Sequence, residues 1–223
     1  MSSAHIKIIA PARNFTACHT SGMLLRPAQP DDAMAVARVH VRSWQVAYRT
    51  LMPQRYLDQL RPEDRAAHYD FVTGDPQKPH TIVAVESESV LGFATTMPAR
   101  VEDLNGYGEL AALYVDPEHW GRGIGLALVQ AARAHLVEAG FLKAMLWVLV
   151  GNTRADRFYQ KDKWLPDGTR RADTIWGVQV DELRYIRELQ VPRPALTCSP
   201  DSRKLKDCEG CGSKCILNRI IFP

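Results

Sequence analysis

Leu110-Ala111-Ala112-Leu113-Tyr114-Val115-Asp116-Pro117-Glu118-His119-Trp120-Gly121-Arg122-Gly123-Ile124-Gly125-Leu126-Ala127-Leu128 is the stretch whose reading decides the fold. It opens as an apolar, strand-like run. Asp116-Pro117 closes that run, because proline has no N–H to continue a ladder. Glycines then alternate at 121, 123 and 125. Behind them Ile124, Leu128, Ala131, Ala132 and Leu136 fall on one broad helical face, and Gly140 stands where a helix C′ glycine belongs. The order is strand, glycine-rich turn, helix N-terminus. Such a turn gathers unpaired backbone N–H groups at the positive end of a helix dipole, and glycine lets a phosphate approach them closely.

Two common phosphate signatures fail on this stretch. The dinucleotide pattern G-x-G-x-x-G needs a third glycine where Leu128 stands. The next apolar run also ends at Val150-Gly151 without the acidic residue that would hold a ribose. The P-loop fails because no Gly-Lys-Ser/Thr follows. The stretch instead resembles the coenzyme-A loop of the GNAT acetyltransferases, Arg/Gln-x-x-Gly-x-Gly/Ala after a strand ending near Val-x-Pro. Trp120-Gly121-Arg122-Gly123-Ile124-Gly125 matches it at both glycines, with Trp120 in place of the first basic residue.

The resemblance runs from about Met23 to Leu189. It takes in Leu146-Trp147-Val148-Leu149 with Asn152, then Ala155, Phe158 and Tyr159, and Leu183-Arg184-Tyr185 in a last strand. Two positions depart from it. Val150 stands where many relatives are acidic. Lys163 precedes Trp164 where many have glycine, and lysine is a poor residue for a left-handed turn.

Outward from the central stretch, Met23 to Arg26 reads as a first strand. Asp31 or Asp32 can cap a helix carrying Ala33, Val36, Ala37, His40, Trp44 and Tyr48 at helical spacing. Trp44 and Tyr48 share a face. Short helices are expected around Tyr56 to Leu60 and from Pro62 to Val72. Thr81 to Val85 and Val90 to Ala94 read as a hairpin about Glu86-Ser87-Glu88-Ser89. Ala144 to Val150 suits a strand buried on both faces. Asn152 opens a helix, and Ile175 to Val180 and Leu183 to Leu189 supply two last strands. This order makes an α/β (α+β) fold, a GNAT-like mixed central sheet with helices on both faces.

The resemblance implies a direct transfer of acetyl from acetyl-CoA to a primary amine of a small molecule or peptide. The donor set it implies is Leu113, Tyr114 and Val115 on the central strand, Arg122, Gly123, Ile124, Gly125, Leu126 and Ala127 in the loop and helix start, and Asn152, Ala155 and Phe158 beyond the next strand. Tyr159 is implied as the general acid and Glu109 as the base that acts through water. Trp44 and Tyr48 are implied to line the acceptor pocket; core packing is the alternative reading for that pair. A homodimer is compatible with the family, and so is a domain that binds or senses acyl-CoA without turnover.

Composition sets the remaining bounds. The chain has 223 residues, 46% of them hydrophobic, enough for one sizeable domain and tails. A net charge of +3 is too mild to argue for nucleic acid. No apolar run approaches the ~20 residues that span a bilayer, so no membrane partner is expected. The body, residues 23 to 190, has no cysteine, which suits a reducing cytoplasm. Residues 1–22 show no period and are expected to be a disordered extension, with Met23 as an alternative start. Residues 191–223 begin with Val-Pro-Arg-Pro, a linker signal, and are also expected to be disordered. Cys198, Cys208, Cys211 and Cys215 there are a conceivable thiolate zinc set with irregular spacing. No metal is expected in the main domain.

Overall fold

The computed structural model describes residues 22–71, 75, 77–175 and 177–190. The expectations for the N-terminal extension and the cysteine tail therefore fall on residues outside the described ones, Gly22 excepted. The elements in chain order are β1 (Leu24–Pro27), α1 (Ala33–Ala47), α2 (Gln54–Leu57), α3 (Pro62–Ala66), β2 (His80–Glu86), β3 (Ser89–Pro98), β4 (Gly108–Val115), α4 (Ile124–Glu138), β5 (Lys143–Leu149), α5 (Thr153–Lys161), β6 (Leu165–Ile175) and β7 (Val178–Glu188). They build one seven-stranded sheet in the order β1-β2-β3-β4-β5-β7-β6, in which only β4 and β5 run parallel. The mixed sheet is the one expected.

The period of two along each strand sorts side chains onto two faces. On β2 and β3, Ile82, Ala84 and Ala94 join α4 in the larger core with Leu128, Val129, Ala132 and Leu136. Their neighbours Val83 and Phe93 turn the other way, onto Val36 and Val39 of α1. Each fully buried leucine or valine of these layers is worth roughly 1.5–3 kcal/mol. The helix ends follow the local signals. Gly140 has φ +92°, and the Phe141 N–H closes back on Leu136 O at 3.0 Å, ending α4 as expected. Asn152 caps α5 by accepting from the Ala155 N–H at 3.1 Å. At α1 the expectation is corrected. Asp32 holds the cap position, but its carboxylate makes no cap bond there. It takes Arg26 at 2.6 and 2.9 Å and the Gln29 N–H at 2.7 Å instead. The Arg26 hydrogen bond is the main reason the Asp32 carboxyl lies below its ordinary range.

The last two strands also differ from the reading. Their turn falls between Ile175 and Val178, which pair across it, and not between Val180 and Leu183. β6 is an edge strand exposed along most of its length, so it carries no apolar alternation to announce it. Lys163 meanwhile keeps the left-handed turn at φ +64°. That conformation costs a non-glycine residue about 1–2 kcal/mol. Glycine there would relieve it at an entropic cost of roughly 0.5–1 kcal/mol. Lys163→Gly is therefore expected to stabilise the fold by about 0.5–1 kcal/mol in urea unfolding; a lower midpoint would refute a strained turn.

His80 of β2 and His135 of α4 stack at 3.9 Å, with His135 Nδ1 2.9 Å from Thr96 Oγ1. Burial lowers both imidazoles, His135 to about 4 with the His80 charge as the second cause. The unfolded chain takes up these protons near pH 6.5 and the folded one does not until lower pH. Stability is therefore full above about pH 6.5 and is lost as pH falls toward 4. The melting temperature should drop over that window in the parent, and less steeply in His135→Gln. Parallel slopes would remove His135 from the account.

Candidate active site

β4 and β5 pair only at their beginnings, Gly108 with Ala144 and Glu109 with Met145. Beyond Glu109 a bulge intervenes. Thr95 pairs with Ala112 and Thr96 with Leu110, which leaves Ala111 as the extra residue. A bulge bends and twists its strand, and here β4 leaves β5 from this point on. β5 remains in register with β7 up to Leu149 and Glu182. The result is a wedge between two parallel strands, part of a cavity of about 1120 Å³.

The free edge of β4 faces that wedge. The Asp116 N–H donates back to Leu91 O at 2.8 Å, so by ladder alternation Tyr114 and Ala112 point their amides at β3. Leu113 and Val115 then present theirs to the open side. The Val115 carbonyl is already engaged, accepting Trp120 Nε1 at 2.7 Å and Ser43 Oγ at 3.0 Å. Tyr114 differs from its two neighbours in the donor set. Its backbone serves the β3 ladder, and its ring lies 4.5 Å from His40 of α1, stacked at 22°.

The glycine loop closes one end of the cavity. Gly121 and Gly123 have φ +81° and +80°, a conformation in which side chains are strained, and Gly123 is the residue before α4. Ile124, Gly125, Leu126 and Ala127 form the first turn of α4. Gly125 is helical, and a Cβ there would stand 3.5 Å from Phe158, so α4 and α5 approach closely at this point. Asn152, Ala155 and Phe158 line the same cavity. The Arg122 side chain leaves the loop, donating to both oxygens of Glu86 at 2.9 Å.

Tyr159 is buried on α5, edge-on to Phe158 at 5.2 Å and to Trp164 at 6.2 Å. Burial first, then Tyr114 and Asp162, push its phenol well above the ordinary value. It stays protonated at neutral pH. Trp44 and Tyr48 meet edge to face at 4.9 Å and line the cavity from α1. Glu109 is 6% exposed, with Arg100 Nε at 3.6 Å. The cavity holds a second buried carboxylate, Glu182 on β7, which takes Arg171 Nε at 2.7 Å. Burial raises the Glu182 carboxyl, Arg171 opposes that, and Asp173 and Glu109 add to it. His40, buried with Nδ1 2.6 Å from Tyr69 Oη, is held down at about 3, by burial first and then by Arg65. Among the described residues no group of three metal-ligating side chains occurs, and no helix is long and apolar enough to cross a membrane.

The sequence profile of the Acetyltransferase (GNAT) family matches residues 40–163, more than half of the 223. The chain belongs to the GNAT family. It is 32% identical over 135 residues to an uncharacterized N-acetyltransferase of Bacillus subtilis, YuaI, covering 57% of this chain and 72% of that one. Its fold is similar to the PaiA N-acetyltransferase of Thermoplasma acidophilum in complex with coenzyme A. That comparison has a TM-score of 0.56 and 18% identity over 75% of this chain and 99% of the other. It is also similar to YncA of Salmonella typhimurium, a putative acetyltransferase with acetyl-CoA, with a TM-score of 0.58 and 17% identity over 80% and 100%.

Within this GNAT chain the structure brings the sequence-derived residues around one cavity, except Arg122 and Ala127, which do not line it. Glu182 is one residue that reading missed. It sits in the inward-facing series of β7 with Val180 and Arg184, a charge where alternation calls for an apolar side chain. A strand boundary at Val180 leaves it to a loop.

Proposed function

We propose that the chain is an acetyl-CoA-dependent N-acetyltransferase whose acceptor is a primary amine of a small molecule or peptide. The split between β4 and β5, with the glycine loop at one end of the cavity and Tyr159 on its wall, carries this reading. The donor's diphosphate lies on the N–H groups from Gly123 to Ala127, at the positive end of α4. Its pantetheine arm runs past Asn152, Ala155 and Phe158. The thioester carbonyl sits against the open β4 edge, where the Leu113 and Val115 N–H groups face the oxyanion.

The amine nitrogen attacks that carbonyl from the face lined by Trp44 and Tyr48. Glu109 takes the amine proton through water. The C–S bond of the tetrahedral adduct then breaks, and Tyr159 gives its proton to the departing thiolate. Glu182, held by Arg171, is a second carboxylate on the acceptor side.

A thiol-release assay with a panel of amines tests the proposal. Release that depends on the amine, with an acetylated amine found by mass spectrometry, is the expected outcome. Donor binding with no amine-dependent release would establish an acyl-CoA-binding domain in place of an enzyme.

A further inference from the structure

Arg154 stands in the first turn of α5 and lines the same cavity as Gly121, Gly123 and Gly125. Its guanidinium carbon lies 3.7 Å from the centroid of the Trp120 ring. That ring is fixed in turn, because its N–H donates to the Val115 carbonyl at 2.7 Å. A guanidinium stacked on an indole keeps its flat N–H edges available for a second partner. Arg154 is exposed, and among the described residues no carboxylate pairs with it. The arginine inside the loop is engaged instead. Arg122 donates to both oxygens of Glu86 at 2.9 Å, and its Nη1 lies 3.1 Å from His119 Nδ1.

From this division of roles we infer that Arg154 supplies the side-chain cation for the donor's diphosphate. It takes the place of the basic residue that Trp120 replaces at the head of the loop. The inference rests on the donor reading above. Backbone N–H groups alone leave much of a diphosphate's charge unpaired. An arginine fork adds paired, charge-assisted hydrogen bonds to phosphate oxygens. The Trp120 stack restricts the side chain before the donor arrives, which lowers the ordering cost of those bonds. In this chain Trp120 therefore acts as a platform for a cation carried by the next helix.

Titration calorimetry with acetyl-CoA and with its 3′-dephospho form tests the assignment, since both keep the diphosphate. Arg154→Gln is expected to weaken both donors about tenfold and to lower the melting temperature only slightly, by the loss of one exposed stack on Trp120. Arg157→Gln removes an exposed charge from the same helix, away from the cavity, and should bind both as the parent does. Parent-like affinity in Arg154→Gln would overturn the inference. So would an equal loss in Arg157→Gln, which would mean bulk charge, or a loss confined to the 3′-phosphorylated donor. A parent chain that binds neither donor would overturn the donor reading and this inference with it.

Discussion

Replacing Tyr159 with phenylalanine is expected to lower kcat by roughly 10²–10⁴-fold and to leave donor affinity nearly unchanged. Acetyl transfer expels a thiolate, and a free thiol has a pKa of about 8.5. At neutral pH the departing sulfur therefore gains from a positioned proton. Burial keeps the Tyr159 phenol protonated well beyond that range, so a proton is always there to give. Phenylalanine retains the ring that packs on Phe158 and Trp164 and removes only the hydroxyl. Thermal unfolding should change little, which separates a chemical role from a packing one. A Tyr159→Phe variant that acetylates its best amine at the parent rate would make Tyr159 a core aromatic and nothing more.

The parts of the site that could be read from the sequence are those with local causes. Proline at 117, the glycines at 121 and 123, and the periodicity of α4 act within a few residues of themselves, so strand, loop and helix were legible. Asn152 was legible as a cap for the same reason. The wedge itself was not. It depends on Ala111 being the unpaired residue opposite Thr95 and Thr96, and that register is settled by pairing across strands far apart in the chain. The turn between β6 and β7 was missed because β6 is an exposed edge strand whose place is fixed by β7, and the misplaced boundary hid Glu182. Lys163 misleads in the opposite sense. Its side chain disfavours the left-handed turn, yet Trp164, fully buried immediately after it, holds the backbone there. Packing of one large ring outweighs about 1–2 kcal/mol of backbone strain.

The opposing pair of substitutions at Gly125 should separate stability from donor binding. Gly125 has no positive φ and lies inside the first turn of α4, so its backbone does not require glycine. A Cβ there would meet Phe158 at 3.5 Å and the Val115 Cγ2 at 3.7 Å, ordinary contact distances. Gly125→Ala is therefore expected to raise stability by about 0.5–1 kcal/mol, the usual gain in a helix, and to keep donor binding, since the loop pattern admits alanine at this position. Gly125→Val adds two methyl groups on the wall of the cavity, where the diphosphate must reach the helix N–H groups. It should fold, and its affinity for acetyl-CoA should fall at least about 100-fold, equivalent to roughly 2.7 kcal/mol. Gly123→Val is a poorer probe, because φ +80° strains any β-branched residue and confounds folding with binding. If a folded Gly125→Val variant binds acetyl-CoA as the parent does, the donor's phosphates do not lie at the start of α4. The anion-binding part of the proposal would then have to move elsewhere in the cavity.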